Sequence, residues 1–219
     1  MNKISTFIKQ NSEEPYREFN KKLITTGYEI CGVRLPKLRE FSKTISIDEL
    51  TPSNDSTYEE IMLYSFCAAK LKLEAEQLSA LETILPFIDN WSTCDCTISA
   101  LKRLNGEKSY KFFTKLLTSE KTYFKRVGIV GLMRNFIKSE HIEEICENLK
   151  KIPIENADYY VKMALAWFYA ELCISNFDLA KDQIASISEK FVRNKSISKA
   201  RESFRVTNEQ KEILSTYRL

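Results

Sequence analysis

Glycine and proline are scarce in this sequence, five of each in 219 residues, and valine occurs only six times. A sheet protein needs turn formers and β-branched residues in quantity, so their shortage turns the reading away from β architectures. Histidine is scarcer still. His141 stands alone, which leaves a His/Cys zinc site few ligands and removes any His-paired triad not built on that residue. No apolar run approaches the roughly 18–20 residues of a transmembrane helix. The opening Met1-Asn2-Lys3-Ile4-Ser5-Thr6 lacks the long apolar core of a secretory signal. Gly-x-Gly-x-x-Gly and Walker-type loops are missing as well, so nucleotide-dependent chemistry has no support. The expectation is a cytoplasmic protein without membrane attachment, metal or cofactor.

What is present fits helices. The chain is 43% hydrophobic and 29% charged, the balance of an ordinary soluble domain, and is rich in Lys, Glu, Leu and Ile. Its net charge of +3 is too weak to announce a nucleic-acid protein, unless the cations gather on one face. Six cysteines (Cys31, Cys67, Cys94, Cys96, Cys146, Cys173) fall in segments that look helical and buried, as reduced cysteines do. Cys94 and Cys96 are two positions apart. On a helix their thiols diverge by about 200°, which is poor for chelation.

Punctuation and periodicity place one set of helices near Thr57, Asn90, Lys121, Asp158 and Asn194, with partners near Glu74, Glu107, Glu140 and Asn176. Each set recurs at about 31 to 37 residues, the mark of an α-solenoid. Asp89 and Asn90 before Trp91, Ser119 before the helix over 122–137, and Asp158 before Tyr159 read as caps. The segment from Tyr159 to Leu172 is apolar almost all round and is expected to be the most enclosed helix. Ser46 to Ser56 is the best loop candidate, and the run after Val192 the cap of the last repeat. The expectation is an all-α chain: residues 1–219 as one domain of stacked helical hairpins, with a concave face.

Four segments, in order, carry a resemblance. Gly32-Val33-Arg34-Leu35-Pro36-Lys37-Leu38-Arg39, Trp91-Ser92-Thr93-Cys94-Asp95, Lys125-Arg126-Val127-Gly128-Ile129 and Tyr159-Tyr160-Val161-Lys162-Met163-Ala164-Leu165-Ala166-Trp167 resemble the AlkD family of bacterial DNA glycosylases, built from HEAT-like repeats. Arg201-Glu202-Ser203-Phe204-Arg205-Val206 is similar to a C-terminal element of one branch of that family. The TPR consensus is missing.

The resemblance implies excision of positively charged N3- or N7-alkylated purines from double-stranded DNA, with water as the second substrate; a monomer is expected. Such lesions have a weakened glycosidic bond and a transition state cationic at the sugar. A carboxylate that stabilises positive charge and positions water serves better than a strong acid. Asp95 matches that carboxylate. Trp91 and Trp167 would pack against the deoxyribose and backbone, and Arg126 would grip phosphate. Lys162 and Arg205 stand out among the basic residues (Lys102, Arg103, Lys125, Arg134, Lys138, Lys195 and Lys199 are the others) for the track of the duplex. The three helices carrying Trp91, Arg126 and Trp167 belong to one set of the alternation, so inward side chains would meet on one damaged nucleotide.

Each residue also has a plainer reading. A tryptophan on an amphipathic helix is commonly core, Asp95 a solvated helix residue, and Arg126 an ion-paired surface group. The competing function is a HEAT-like scaffold that binds DNA or protein without catalysis.

Overall fold

Capping side chains open most of the helices. Asn2 accepts a hydrogen bond from the Ser5 amide, Thr57 from Glu60, Asn90 from Thr93, Asp158 from Tyr160, Asn176 from Leu179 and Thr207 from Gln210. Each satisfies an amide that the helix itself leaves without a partner. The computed structural model describes residues 2–219, which form thirteen α-helices and three 3-10 turns, and among the described residues no strand. No described helix is long and apolar enough to cross a membrane. The chain divides into two compact units, residues 1–109 and 110–219.

The first unit begins with α1 (Lys3–Asn11), α2 (Glu14–Leu23) and α3 (Leu35–Ser42). It continues with α4 (Tyr58–Ala68), α5 (Glu74–Ile84) and α6 (Trp91–Ala100), and reaches the start of α7 (Glu107–Leu116). Helices α3, α4 and α6 pack in a row, and α5 backs α4. Ten of the eleven α4 residues are buried. Two hydroxyl pairs fix its register on α6: Tyr58 Oη lies 2.8 Å from Ser92 Oγ, and Ser65 Oγ lies 2.7 Å from Thr97 Oγ1. Breaking either pair would strand a buried hydroxyl.

The second unit holds α8 (Thr122–Phe136), α9 (Ile142–Lys150), α10 (Tyr159–Ser175), α11 (Phe177–Ser186), α12 (Lys190–Glu202) and α13 (Asn208–Ser215). Here α8, α10 and α12 pack in a row, with α9 against α8 and α11 against both α10 and α12. One row backed by a second is the repeat pattern of a helical solenoid, as the sequence spacing implies.

Gly131 of α8 is there for close approach. A Cβ at that position would overlap the fully buried Phe113 ring, and one at Gly128 would lie 2.7 Å from the Phe113 carbonyl oxygen. Gly131→Ala is expected to destabilise the protein by about 1–3 kcal/mol through overpacking. Thermal unfolding checks this, with a Tm lower by roughly 2–10 °C.

Three details depart from the sequence reading. Ten of eleven α4 residues are buried against nine of seventeen in α10, so α4 is the more enclosed helix. Polar Tyr58, Glu59 and Ser65 disguise α4 in the sequence, and α10 keeps a partly exposed stripe. Ser119 does not cap α8; its hydroxyl accepts the Lys121 amide in a turn, and α8 starts without a side-chain cap. The last helix of the first set begins at Lys190 rather than near Asn194, because Glu189 caps it through the Val192 amide at 2.6 Å.

Candidate functional site

In the first unit the start of α6 is stitched to the segment that follows α2. The Asp89 carboxylate accepts from Thr26 Oγ1 at 2.8 Å, the Gly27 amide at 2.6 Å and Asn90 Nδ2 at 2.8 Å. Asn90, itself fully buried, caps the helix. The Trp91 indole N–H donates to the Leu23 carbonyl at 3.1 Å, one of the carbonyls that the end of α2 leaves without a helical partner. The indole is thereby fixed from both its helix and its ring nitrogen.

Along α6, Ser92, Thr93, Cys94, Thr97, Ile98 and Ala100 are buried. Trp91, Asp95 and Ser99 are half-buried and recur every fourth residue, so they form one accessible stripe. Trp91 and Asp95 therefore stand one turn apart on the same face, outside the core. Arg39 of α3 lies over the Phe66 ring of α4, 4.4 Å from its centroid, and its charge reaches Cys96. This puts a cation on the row α3–α4–α6. The sequence reading quotes Arg39 within a motif but gives it no role, since a motif shows no neighbour.

The Gly32-Val33-Arg34 segment is held from beneath. Glu59 of α4 is fully buried, and its carboxylate accepts the amides of Cys31 at 2.9 Å, Gly32 at 2.7 Å and Val33 at 3.1 Å. Gly32 has φ +89°, which favours glycine, and a Cβ there would sit 2.7 Å from the Glu13 carbonyl. Glu13 in turn receives Arg34 Nε at 2.8 Å and Lys37 Nζ at 3.3 Å, and these cations hold its carboxyl below the usual range.

In the second unit, Tyr160, Met163, Trp167 and Glu171 form the partly exposed stripe of α10. The Trp167 indole N–H donates to Glu171 Oε1 at 3.3 Å, and the Arg134 guanidinium of α8 stands 5.8 Å from the ring centroid. Glu171 also pairs with Arg205 at 3.3 Å. Trp167 is thus framed by a cation on its face and a carboxylate on its edge that ties it to Arg205. Glu171 is the group that sequence reading missed; its place four residues after Trp167 was the available signal.

Two of the expected phosphate ligands have partners within the protein. Arg126 is only 5% exposed and donates from Nη1 to the Tyr160 carbonyl at 2.8 Å, tying α8 to the first turn of α10. Lys162 reaches Glu189 at 3.3 Å and the Glu155 carbonyl at 3.2 Å, with 18% of its side chain exposed. Both are committed to neighbouring backbone or carboxylate, whereas Arg205 is exposed.

Burial pushes the thiols up, Cys31 and Cys173 to about 12 and Cys146 to about 11; Cys96 is raised too, by burial first. Their thiolate fraction near neutral pH is very small. Cys31, Cys146 and Cys173 of the native protein are expected to react with a thiol reagent near pH 8 at least about 100-fold more slowly than in the unfolded chain. Peptide mapping after timed alkylation checks this, and comparable native and unfolded rates would contradict it.

No curated protein shows a significant match to the chain. The model of the DNA alkylation repair enzyme family matches residues 4–204. With that match spanning nearly its whole length, the chain belongs to the DNA alkylation repair enzyme family.

Proposed function

We propose that this protein is a DNA glycosylase that hydrolyses the N-glycosidic bond of positively charged N3- or N7-alkylated purines in duplex DNA. The observation that carries the reading is the Trp91–Asp95 stripe. It joins an indole locked by the Leu23 carbonyl to a carboxylate one turn on, both outside the core, in a member of a DNA alkylation repair family.

The chemistry follows from the lesion. An alkylated purine that already bears positive charge leaves without protonation, so the developing charge lies on the sugar. Asp95 stabilises that charge and orients water for attack at the anomeric carbon. The bond to the purine nitrogen breaks with its electron pair on the base, which leaves neutral; the water oxygen ends on the sugar as a hydroxyl and its other proton passes to solvent. Trp91 supplies a flat apolar surface for deoxyribose beside Asp95; within the second unit Trp167 offers a ring of the same kind and Arg205 a guanidinium for phosphate. Arg126 and Lys162 act as positioning residues, through the Tyr160 carbonyl and through Glu189.

Two other repair chemistries fit these residues less well. Transfer of the alkyl group to protein needs a reactive thiolate, and burial raises the Cys96 thiol beside Asp95. Oxidative removal on iron commonly uses two histidines and a carboxylate, and the chain has one histidine. The reading is tested by incubating the full chain at low salt with duplex DNA that carries N7-methylguanine and N3-methyladenine. Free methylated base above spontaneous depurination is the expected result. No release from folded protein would leave a helical scaffold in its place.

Trp167→Ala is expected to slow base release by about ten-fold, because it removes the ring and leaves Glu171 paired only to Arg205. Glu171→Gln should lose less, since a carboxamide oxygen still accepts the indole N–H. Single-turnover rates on one lesion check the order of the two.

A further inference from the structure

Four aromatic rings run in contact across the first turns of α8, α10 and α12. Phe191 lies 5.8 Å from Tyr159, Tyr159 lies 5.3 Å from Tyr160, and Tyr160 lies 5.6 Å from Tyr123, centroid to centroid. The two rings at the α12 end of the row are the open ones. Tyr159 is 56% exposed and Phe191 38% exposed, while Tyr160 and Tyr123 stand half-buried behind them. Exposed aromatic surface in contact is costly in water and marks a binding face.

The ridge is built to keep its shape. Lys162, one turn after Tyr159, pairs with Glu189, and Glu189 at the same time caps α12 through the Val192 amide. That bridge locks the first turn of α10 to the first turn of α12, and so Tyr159 to Phe191. Arg126 does the same from α8 by donating to the Tyr160 carbonyl. Arg126 and Lys162 thus both hold the ridge. Exposed Lys190 adjoins Phe191 in the chain, and exposed Lys121 lies 4.7 Å over the neighbouring Phe124 ring. Rigid rings with exposed Lys121 and Lys190 close to them in the chain suit a π-faced, anionic ligand.

We propose that the Phe191–Tyr159–Tyr160–Tyr123 ridge is a stacking platform for a nucleobase of DNA that has left the helical stack. The proposal rests on the DNA-repair reading for the identity of the polymer, and it is independent of Asp95 and of the hydrolytic step. An unpaired base brings a flat π-face for the rings and a phosphate on either side for the lysines. A fully paired duplex offers the phosphates alone.

The test compares two duplexes of one sequence, one fully paired and one with a single bulged 2-aminopurine. The full chain is titrated with each, followed by anisotropy and by 2-aminopurine emission. Wild type is expected to prefer the bulged duplex by about ten-fold, with a change in emission as the base stacks. Tyr159→Leu/Phe191→Leu keeps apolar area and removes both exposed rings; it should abolish the preference and the emission change, with paired-duplex affinity within about two-fold. Tyr159→Phe should keep both. A double variant that retains the preference, or a wild type that binds both duplexes equally with no emission change, overturns the platform and leaves the glycosylase reading standing. Failure to bind either duplex overturns both.

Discussion

Asp95→Asn is expected to slow release of methylated base by between about ten-fold and a thousand-fold, while moving Tm by no more than a few degrees. Asparagine has nearly the same shape and still forms hydrogen bonds, so the change removes the negative charge and little else. A group that stabilises charge only in the transition state lowers the rate and leaves substrate binding nearly untouched. The expected pattern is therefore a fallen single-turnover rate with DNA affinity within about two-fold. Affinity and rate falling together would make Asp95 a binding residue. An unchanged rate would move the catalytic carboxylate elsewhere.

Glu59→Leu is expected to cost about 3–5 kcal/mol of stability, the largest effect of any single change considered. The Glu59 carboxylate is fully buried and accepts three amides from Cys31, Gly32 and Val33. Leucine fills similar space and accepts none, so three amides lose their partner at once, two of them in fully buried bonds. Glu59→Gln keeps one oxygen but turns an NH2 group toward an amide, and should lose roughly half as much. Thermal unfolding checks both, with a fall of at least about 6 °C for Glu59→Leu. A leucine variant as stable as wild type would show that the turn at Gly32 stands without Glu59.

The adjacent pair Glu59 and Glu60 shows what the sequence could and could not reveal. Both stand in the first turn of a helix, where carboxylates complement the dipole. Glu60 does what its position suggests, reaching back to the Thr57 amide at 2.8 Å in a capping box. Glu59 turns inward toward a loop some 27 residues earlier, and no local pattern announces that. The helix starts at Tyr58, Trp91, Thr122 and Tyr159 were legible because apolar periodicity restarts there, with a capping residue before three of them. Lys190 was not, because glutamate is an uncommon N-cap and the polar residues around it carry little periodicity.

The same divide runs through the site. Trp91 and Asp95 share a face because they are four residues apart on one helix, which is local geometry and readable. Arg126 and Lys162 were expected on phosphate because they are cations within matching segments. Their partners, the Tyr160 carbonyl and Glu189, lie 34 and 27 residues away and are set by helix packing. Charge is visible in a sequence; its partner across the fold is not.

The central claim is that the bond broken joins sugar to base, and the fate of the alkyl group tests it most directly. Duplex DNA methylated with a radiolabelled methyl donor is incubated with the full chain, and the label is followed into free base, protein and residual DNA. Glycosylase chemistry predicts label in free N3-methyladenine or N7-methylguanine, with abasic sites left in equal number. Label on the protein, label released as a one-carbon fragment, or label that stays wholly in the DNA would contradict it.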